Sequence, residues 1–175
     1  MSTSTFNPEL WMIQALELAQ TSLEKSEVPV GCLFIYNDVV IARGHNTVNK
    51  FKNATRHAEL NCIDQVVEQF SKDATNVFHD TIVVVTVEPC IMCADILLSL
   101  NVKCVYYGCA NDRFGGSSTV YDVKQHYLNP CNIVGGVCEE KALDKLRNFY
   151  KGVNVNSPMT SLKRKKIAKL QAENG

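Results

Sequence analysis

No stretch of this 175-residue chain approaches the about 18 consecutive apolar residues that a membrane-spanning helix requires. The opening Met1-Ser2-Thr3-Ser4-Thr5 has neither a basic region nor an apolar run, which argues against a secretory signal. No internal repeat is present, and the formal net charge is zero. Cysteine, by contrast, is abundant at eight residues. Without a secretory signal, eight cysteines point to reduced thiols in the cytoplasm and/or nucleus rather than to a disulfide framework. Cys32, Cys62, Cys104 and Cys109 lie in or beside apolar segments, where small buried thiols are expected. The length suits one domain with a full core.

The zero net charge hides an uneven distribution. Residues 1–140 carry nine Lys/Arg against sixteen Asp/Glu, a balance of −7, whereas residues 141–175 carry nine against two, a balance of +7. Lys163, Arg164, Lys165, Lys166 and Lys169 place five positive charges within seven residues. Asn154 to Pro158 reads as a linker, so we expect a folded domain over 1–153 and a basic tail over 154–175. An acidic body with a basic end suits a polyanionic partner. A solvated terminus and a nuclear-localisation signal are the competing readings of the same residues.

Two short segments carry chemistry: His57-Ala58-Glu59 and Pro89-Cys90-Ile91-Met92-Cys93. One imidazole and two thiolates supply three zinc ligands, leaving the fourth tetrahedral position open, as in a catalytic site. The combination matches the established H-x-E and P-C-x-x-C signature of zinc nucleobase deaminases. With a helix starting near Glu88 or Pro89, Cys90 and Cys93 share a face of its first turn, where the positive dipole end favours thiolates. His57 is expected to open another helix, with Glu59 in its first turn. Glu59, left off the metal, is the residue free to shuttle protons. A closed structural zinc with a fourth cysteine is one alternative, although structural sites usually pair two C-x-x-C or C-x-x-H elements. A Cys90–Cys93 redox dithiol is the other, and it leaves His57 and Glu59 without a role.

The pattern along the chain alternates. Asn7-Pro8-Glu9 starts a helix that runs to about Lys25. Val30–Tyr36 and Val39–Ala42 read as strands joined at Asn37-Asp38, and 46–56 as a polar loop. A helix over 57–70 follows, then a β-branched strand at Thr81–Thr86, a helix to about Leu100 and a strand at Val102–Tyr107. A glycine-containing loop at Arg113-Phe114-Gly115-Gly116, a short strand near Ile133-Val134 and an amphipathic helix over 139–151 complete the body. The expected fold is α/β: a three-layer α-β-α sandwich around a mixed five-stranded sheet.

Both motifs and this order resemble the cytidine deaminase-like superfamily. Within it, the chain resembles the catalytic subunit of the eukaryotic tRNA-specific adenosine deaminases, which convert wobble adenosine to inosine. The resemblance rests on Glu27-Val28-Pro29-Val30-Gly31-Cys32, Asn53 to Glu59, Val85 to Ala94, and Tyr107-Gly108-Cys109 leading to Arg113-Phe114-Gly115-Gly116. It implies Zn²⁺ on His57, Cys90 and Cys93, with Glu59 as the proton shuttle. It also implies a base pocket in which Asn46 contacts the base, Val30 packs against it and the backbone of Ala58 faces the reacting edge. The implied partners are the tRNA anticodon loop and a related, catalytically inactive subunit that completes a heterodimer.

One departure is Leu60-Asn61 after His-Ala-Glu, a pairing associated more with deoxycytidylate deaminases, which act on free nucleotides. Ile91-Met92 between the cysteines and the Arg-Phe-Gly-Gly loop favour the tRNA enzymes. A non-catalytic zinc-containing RNA-binding subunit is the alternative of another class, and Glu59 argues against it. Phe114, Tyr121, Tyr127 and Tyr150 are possible stacking groups, or else core or partner contacts.

The tail generates a prediction. Phosphate contacts by five cations contribute affinity without base specificity, and on single strands each accounts for a salt slope of about −0.7. Truncation after Pro158 should therefore weaken tRNA binding at low salt, flatten log K against log salt by up to roughly 3, and leave zinc content unchanged. Unaltered affinity and slope in the truncated protein would assign the tail to localisation or to solvent.

Overall fold

The computed structural model describes residues 6–152 and 161–173. The strand β1 (Gly31–Tyr36) is apolar on both of its faces, and this sets the layering. Cys32 and Phe34 point into one core and Leu33 and Ile35 into the other, all of them at most 1% exposed. Asn37 and Asp38 both take positive φ, 51° and 59°, the backbone of a type I′ hairpin, and turn the chain into the antiparallel β2 (Val39–His45). On its other side β1 pairs antiparallel with β3 (Ile82–Val87), and β4 (Cys104–Cys109) and β5 (Asn132–Val134) extend the sheet in parallel. The order is β2-β1-β3-β4-β5, the expected mixed sheet of five strands.

The first helix, α1 (Pro8–Glu24), begins as its sequence predicts: Asn7 Oδ1 accepts from the Glu9 amide, and proline occupies the first turn. The α2 turn (Val48–Phe51) buries no residue. The helix α3 (Ala58–Phe70), α4 (Ala74–Asp80) and α5 (Ile91–Ser99) cover the face of Phe34 and Val85. The other face, with Leu33 and Val84, is covered by α1 and α6 (Glu139–Lys151). This is the three-layer α-β-α arrangement. The basic segment contains α7 (Ser161–Glu173), in which Lys169 lies 3.8 Å from Glu173. The expected linker at 154–158 and the boundary at 153/154 lie outside the described residues.

The structure corrects several expected boundaries. The second strand continues past Ala42 to His45, and the supposed loop 46–56 contains α2. The helix carrying the cysteines starts at Ile91, not at Glu88 or Pro89, because the Cys90 backbone is still extended, with φ −65° and ψ 166°. Cys90 is thus the residue before the helix, and His57 stands in the same position before α3. The helix α4 has no expected counterpart. All eight cysteines are free, with Cys32, Cys62 and Cys109 buried and Cys104 half-buried.

Helix α3 lies unusually close to β2. A Cβ on Gly44 would stand 2.2 Å from the carbonyl oxygen of Ala58 and 2.7 Å from Cys62 Sγ. Gly44→Ala should therefore push α3 off the sheet, costing about 1–3 kcal/mol in overpacking. Because the first turn of α3 follows His57, zinc should also dissociate faster. Thermal unfolding and zinc release to a chelator measure the two effects, and an unchanged midpoint would show that α3 is free to shift.

Candidate active site

Two helix starts meet at one point. His57 precedes α3 and Cys90 precedes α5, and neither side chain caps its own helix. Both turn instead towards each other: His57 Nδ1 lies 3.6 Å from Cys90 Sγ and 3.5 Å from Cys93 Sγ. The three donor atoms lie within 4.8 Å of one another, the only such group among the described residues. Tetrahedral zinc with sulfur at about 2.3 Å and nitrogen at about 2.0–2.1 Å has an S···N edge of about 3.6 Å. The spacing therefore fits Zn²⁺ with His57, Cys90 and Cys93 as its protein ligands.

Charge favours the same conclusion. The Cys90 thiol is pulled down to about 4, first by its hydrogen bond with Cys93, then against burial by hydrogen bonds with His57 and the Cys93 backbone. That interaction pushes the Cys93 thiol strongly upward, and burial and the Glu59 charge add to the rise. The hydrogen bond to Cys90 raises the His57 imidazole against the opposing effect of burial. The protein alone holds one thiolate easily and resists a second. A divalent cation removes that conflict, and both helix dipoles present their positive ends to the sulfurs.

Glu59, in the first turn of α3, is 3% exposed and is not one of the donor group. Burial pushes its carboxyl up to about 7, against the lowering effect of its own backbone amide. A carboxyl near neutrality can take up and release a proton with equal ease. The structure also joins the three expected pocket residues. The Asn46 amide donates to the Val30 carbonyl at 3.3 Å, and Asn46 Oδ1 accepts from the Ala58 amide at 2.9 Å. Val30 is half-buried, Asn46 and Ala58 are buried, and the Ala58 N–H is occupied by Asn46. Asn46 Nδ2 makes no hydrogen bond among the described residues.

The cysteine loop is held by a residue that the sequence reading passed over. Glu88 is 1% exposed and accepts from the amides of Asn111, Ser117, Ser118 and Thr119 and from the Ser117 hydroxyl at 2.7 Å. Desolvation would raise its carboxyl, but hydrogen bonds from Thr119, Asn111 and Ser117 win and bring it down to about 2. Glu88 thus binds segment 111–119 to the end of β3. The Arg113-Phe114-Gly115-Gly116 loop completes the clasp: the Ile91 amide donates to Phe114 O and the Gly116 amide to Pro89 O, both at 2.9 Å. A Cβ on Gly115 would lie 2.4 Å from Glu88 Oε2, and one on Gly116 2.7 Å from Ile91 Cα, so the loop requires both glycines. A carboxylate ending the apolar run Val83–Val87 was the available signal for Glu88.

Other expected residues fall away from the site or outside the description. Asn61, the deoxycytidylate-like departure, spends its amide protons on His45 O at 2.8 Å and Thr47 Oγ1 at 2.9 Å, fastening the loop to α3. The Tyr127 hydroxyl is tied to Ser99 and Asp95, whereas Phe114, Tyr121 and Tyr150 are exposed. In the tail, Lys165 and Lys169 are exposed; the side chains of Lys163, Arg164 and Lys166 lie outside the described set.

The wild-type protein should contain one zinc per chain. Cys93→Ala should lose metal and activity together, whereas Glu59→Ala should keep full zinc and lose turnover by at least about 10² to 10⁴-fold. Metal analysis beside the activity assay checks both. Two zincs per chain, full occupancy in Cys93→Ala, or a tenth of wild-type activity in Glu59→Ala would contradict the assignment.

Residues 6–109 match the model of the cytidine and deoxycytidylate deaminase zinc-binding region. The tRNA-specific adenosine deaminase 2 of Xenopus laevis is 44% identical over 162 residues, which cover 89% of this chain and 93% of that one. The tRNA-specific adenosine deaminase subunit tad2 of Schizosaccharomyces pombe is 40% identical over 167 residues, 94% of this chain and 42% of the yeast protein. A solved structure from a study of A-to-I editing by tRNA:A34 deaminases at the wobble position superposes with a TM-score of 0.73 at 25% identity. That match covers 78% of this chain and 99% of the other. With this similarity, and with the His57-Ala58-Glu59 and Pro89-Cys90-Ile91-Met92-Cys93 segments meeting in one metal-binding cluster, the chain belongs to the cytidine and deoxycytidylate deaminase family and, within it, to the tRNA-specific adenosine deaminases.

Proposed function

We propose that this chain deaminates the wobble adenosine of a tRNA anticodon loop, consuming water and yielding inosine and ammonia. The observation that carries the reading is a cluster of three metal-binding side chains, His57, Cys90 and Cys93, with a buried Glu59 outside that set. Zn²⁺ bound there supplies Lewis acidity, which lowers the pKa of water from about 15.7 towards roughly 7. Glu59 would take one proton from the water and deliver it to the ring nitrogen as the C–O bond forms. It would then take the remaining proton from the new hydroxyl and deliver it to the amine as the C=O bond forms and the C–N bond breaks. Its burial suits this sequence, since one carboxyl serves as base and then as acid.

In this reading Asn46 Nδ2 donates to an acceptor on the base, and Val30 packs against it. The hydrogen bond from the Ala58 amide to Asn46 Oδ1 ties these two pocket residues together, with the backbone of Ala58 towards the reacting edge. Only an unstacked nucleotide can enter, and anticodon loops supply such bases. The free-nucleotide reading loses its main support because Asn61 serves the loop instead. A non-catalytic RNA-binding role would leave Glu59 buried at an energetic cost and without use.

The proposal includes a related, catalytically inactive subunit as partner and the basic tail, 154–175, as a phosphate contact. Ile91, Phe114, Val120 and Tyr121 are exposed and joined through the backbone of the Gly115 loop, which suits a protein contact beside the site. The free cysteines suit a reducing compartment, cytosol or nucleus. No helix among the described residues is long and apolar enough to cross a membrane.

The decisive assay offers tRNA, dCMP and free adenosine to the chain, alone and co-expressed with the partner. We expect inosine at the wobble position of tRNA, little turnover by the isolated chain and none on the two small substrates. Turnover of dCMP without activity on tRNA would overturn the substrate. Equal turnover by the isolated chain would overturn the partner requirement.

A further inference from the structure

Between Asp38 and Glu59 the sequence has no acidic residue, yet it carries Arg43, Lys50, Lys52 and Arg56. This is a local exception in a body whose first 140 residues carry a net −7. The segment folds as the end of β2, the α2 turn and the approach to His57. It borders a pocket of about 460 Å³ lined by Lys25, Glu27, His45, Asn46, Asn49 and Lys50, among others. Asn46 lines this pocket, and its Oδ1 accepts from the amide of Ala58, the residue that follows the metal ligand His57.

The groups in the pocket are arranged for an anion. Lys25 Nζ stands 3.3 Å from His45 Nε2, and the Nδ1–H of the same ring donates to the Asn46 carbonyl at 2.8 Å. This pairing assigns the tautomer and fixes Lys25 beside Asn46, with ammonium protons to spare. The only carboxylate lining the pocket is already committed. Glu27, 2% exposed, accepts from the amides of Asn49 and Lys50 and from Asn49 Nδ2, so it shapes the loop. Arg56 is paired with Asp64, whereas Arg43, Lys50 and Lys52 of this segment are exposed, as is Lys25; of these, Lys25 and Lys50 line the pocket.

Phe51 gives the rim its second character. It is 57% exposed, and Lys50 Nζ lies 4.9 Å from its ring centroid. None of the residues of α2 is buried, so Phe51 does not serve the core. An aromatic face flanked by cations at the edge of a nucleobase site is the pattern with which proteins hold single-stranded nucleic acid: bases stack and phosphates pair.

We propose that Lys25, Lys50 and Phe51 form a second RNA contact beside the catalytic pocket, in which Phe51 stacks on a base neighbouring the target and the lysines hold its phosphates. The inference rests on the proposed RNA substrate, and it differs from the tail in location and chemistry. It places one unstacked neighbour of the target nucleotide against α2, which helps to keep the target base extruded.

Binding of an anticodon stem-loop RNA is measured across a salt series with the zinc-loaded full chain, with and without the partner subunit. Phe51→Ala should weaken binding about 5- to 100-fold with an unchanged salt slope, and Phe51→Tyr should restore it. Lys25→Ala with Lys50→Ala should flatten the slope by up to about 1.4. Zinc content and thermal midpoint should stay at wild-type values in all of them. RNA binding within twofold of wild type in both Phe51→Ala and the double lysine variant, while the wild type edits tRNA, would overturn this contact and leave the substrate reading intact. Loss of partner association instead of RNA affinity would assign the patch to protein contact and overturn it too. Failure of the wild type to bind or edit the RNA would overturn the substrate reading, and this contact with it.

Discussion

Two thiols that both lie within 3.6 Å of one imidazole nitrogen cannot all adopt, together with that ring, their metal-binding states without a cation between them. This constraint organises the structure around it. Cys90 ionises readily and by doing so blocks Cys93, while His57 is drawn towards the charged form. A zinc ion settles all three at once, with two negative charges and a neutral ring around a dication. The fold provides the geometry by starting α3 and α5 on the same side of the sheet and pointing both starts at the donors. Glu59 gains its function from what surrounds it, since it is buried one residue past Ala58 and outside the ligand set.

The loops that hold these starts in place use few and specific contacts. On one side, Asn46 links Val30 to Ala58, and Asn61 links α3 back to His45 and Thr47. On the other, Glu88 gathers four amides and a hydroxyl from residues 111–119. Gly115 and Gly116 let that loop lie directly on the Pro89–Ile91 backbone. Each contact leaves the reacting groups untouched and fixes the backbone from which they project. The tRNA-like Arg-Phe-Gly-Gly sequence thus has a structural reason for its glycines, independent of any substrate it meets.

Much of this was legible from residue types and spacing. The β-branched run at 81–86, the Asn37-Asp38 turn and the Asn7-Pro8 helix start each carry their own local physics, and each formed where expected to within a residue or two. The metal ligands were legible because their chemistry is rare and their spacing tight. Other features depend on distant partners. Glu88 meets its donors from 23 to 31 residues away, and no local pattern announces that. Cys90 sits before its helix rather than in it because its own backbone is still extended. The helix α4 is seven residues long, too short to show a period, and Phe51 is a lone aromatic in a polar stretch.

The account's central claim is an open zinc site with His57, Cys90 and Cys93 as ligands and Glu59 held back from the metal. X-ray absorption at the zinc edge of the purified full chain tests it most directly. The predicted shell is two sulfurs at about 2.3 Å and two nitrogen or oxygen neighbours at about 2.0–2.1 Å, one of them solvent, and identical in Glu59→Gln. Three or four sulfurs in that shell, or a changed shell on removing the Glu59 carboxylate, would contradict it.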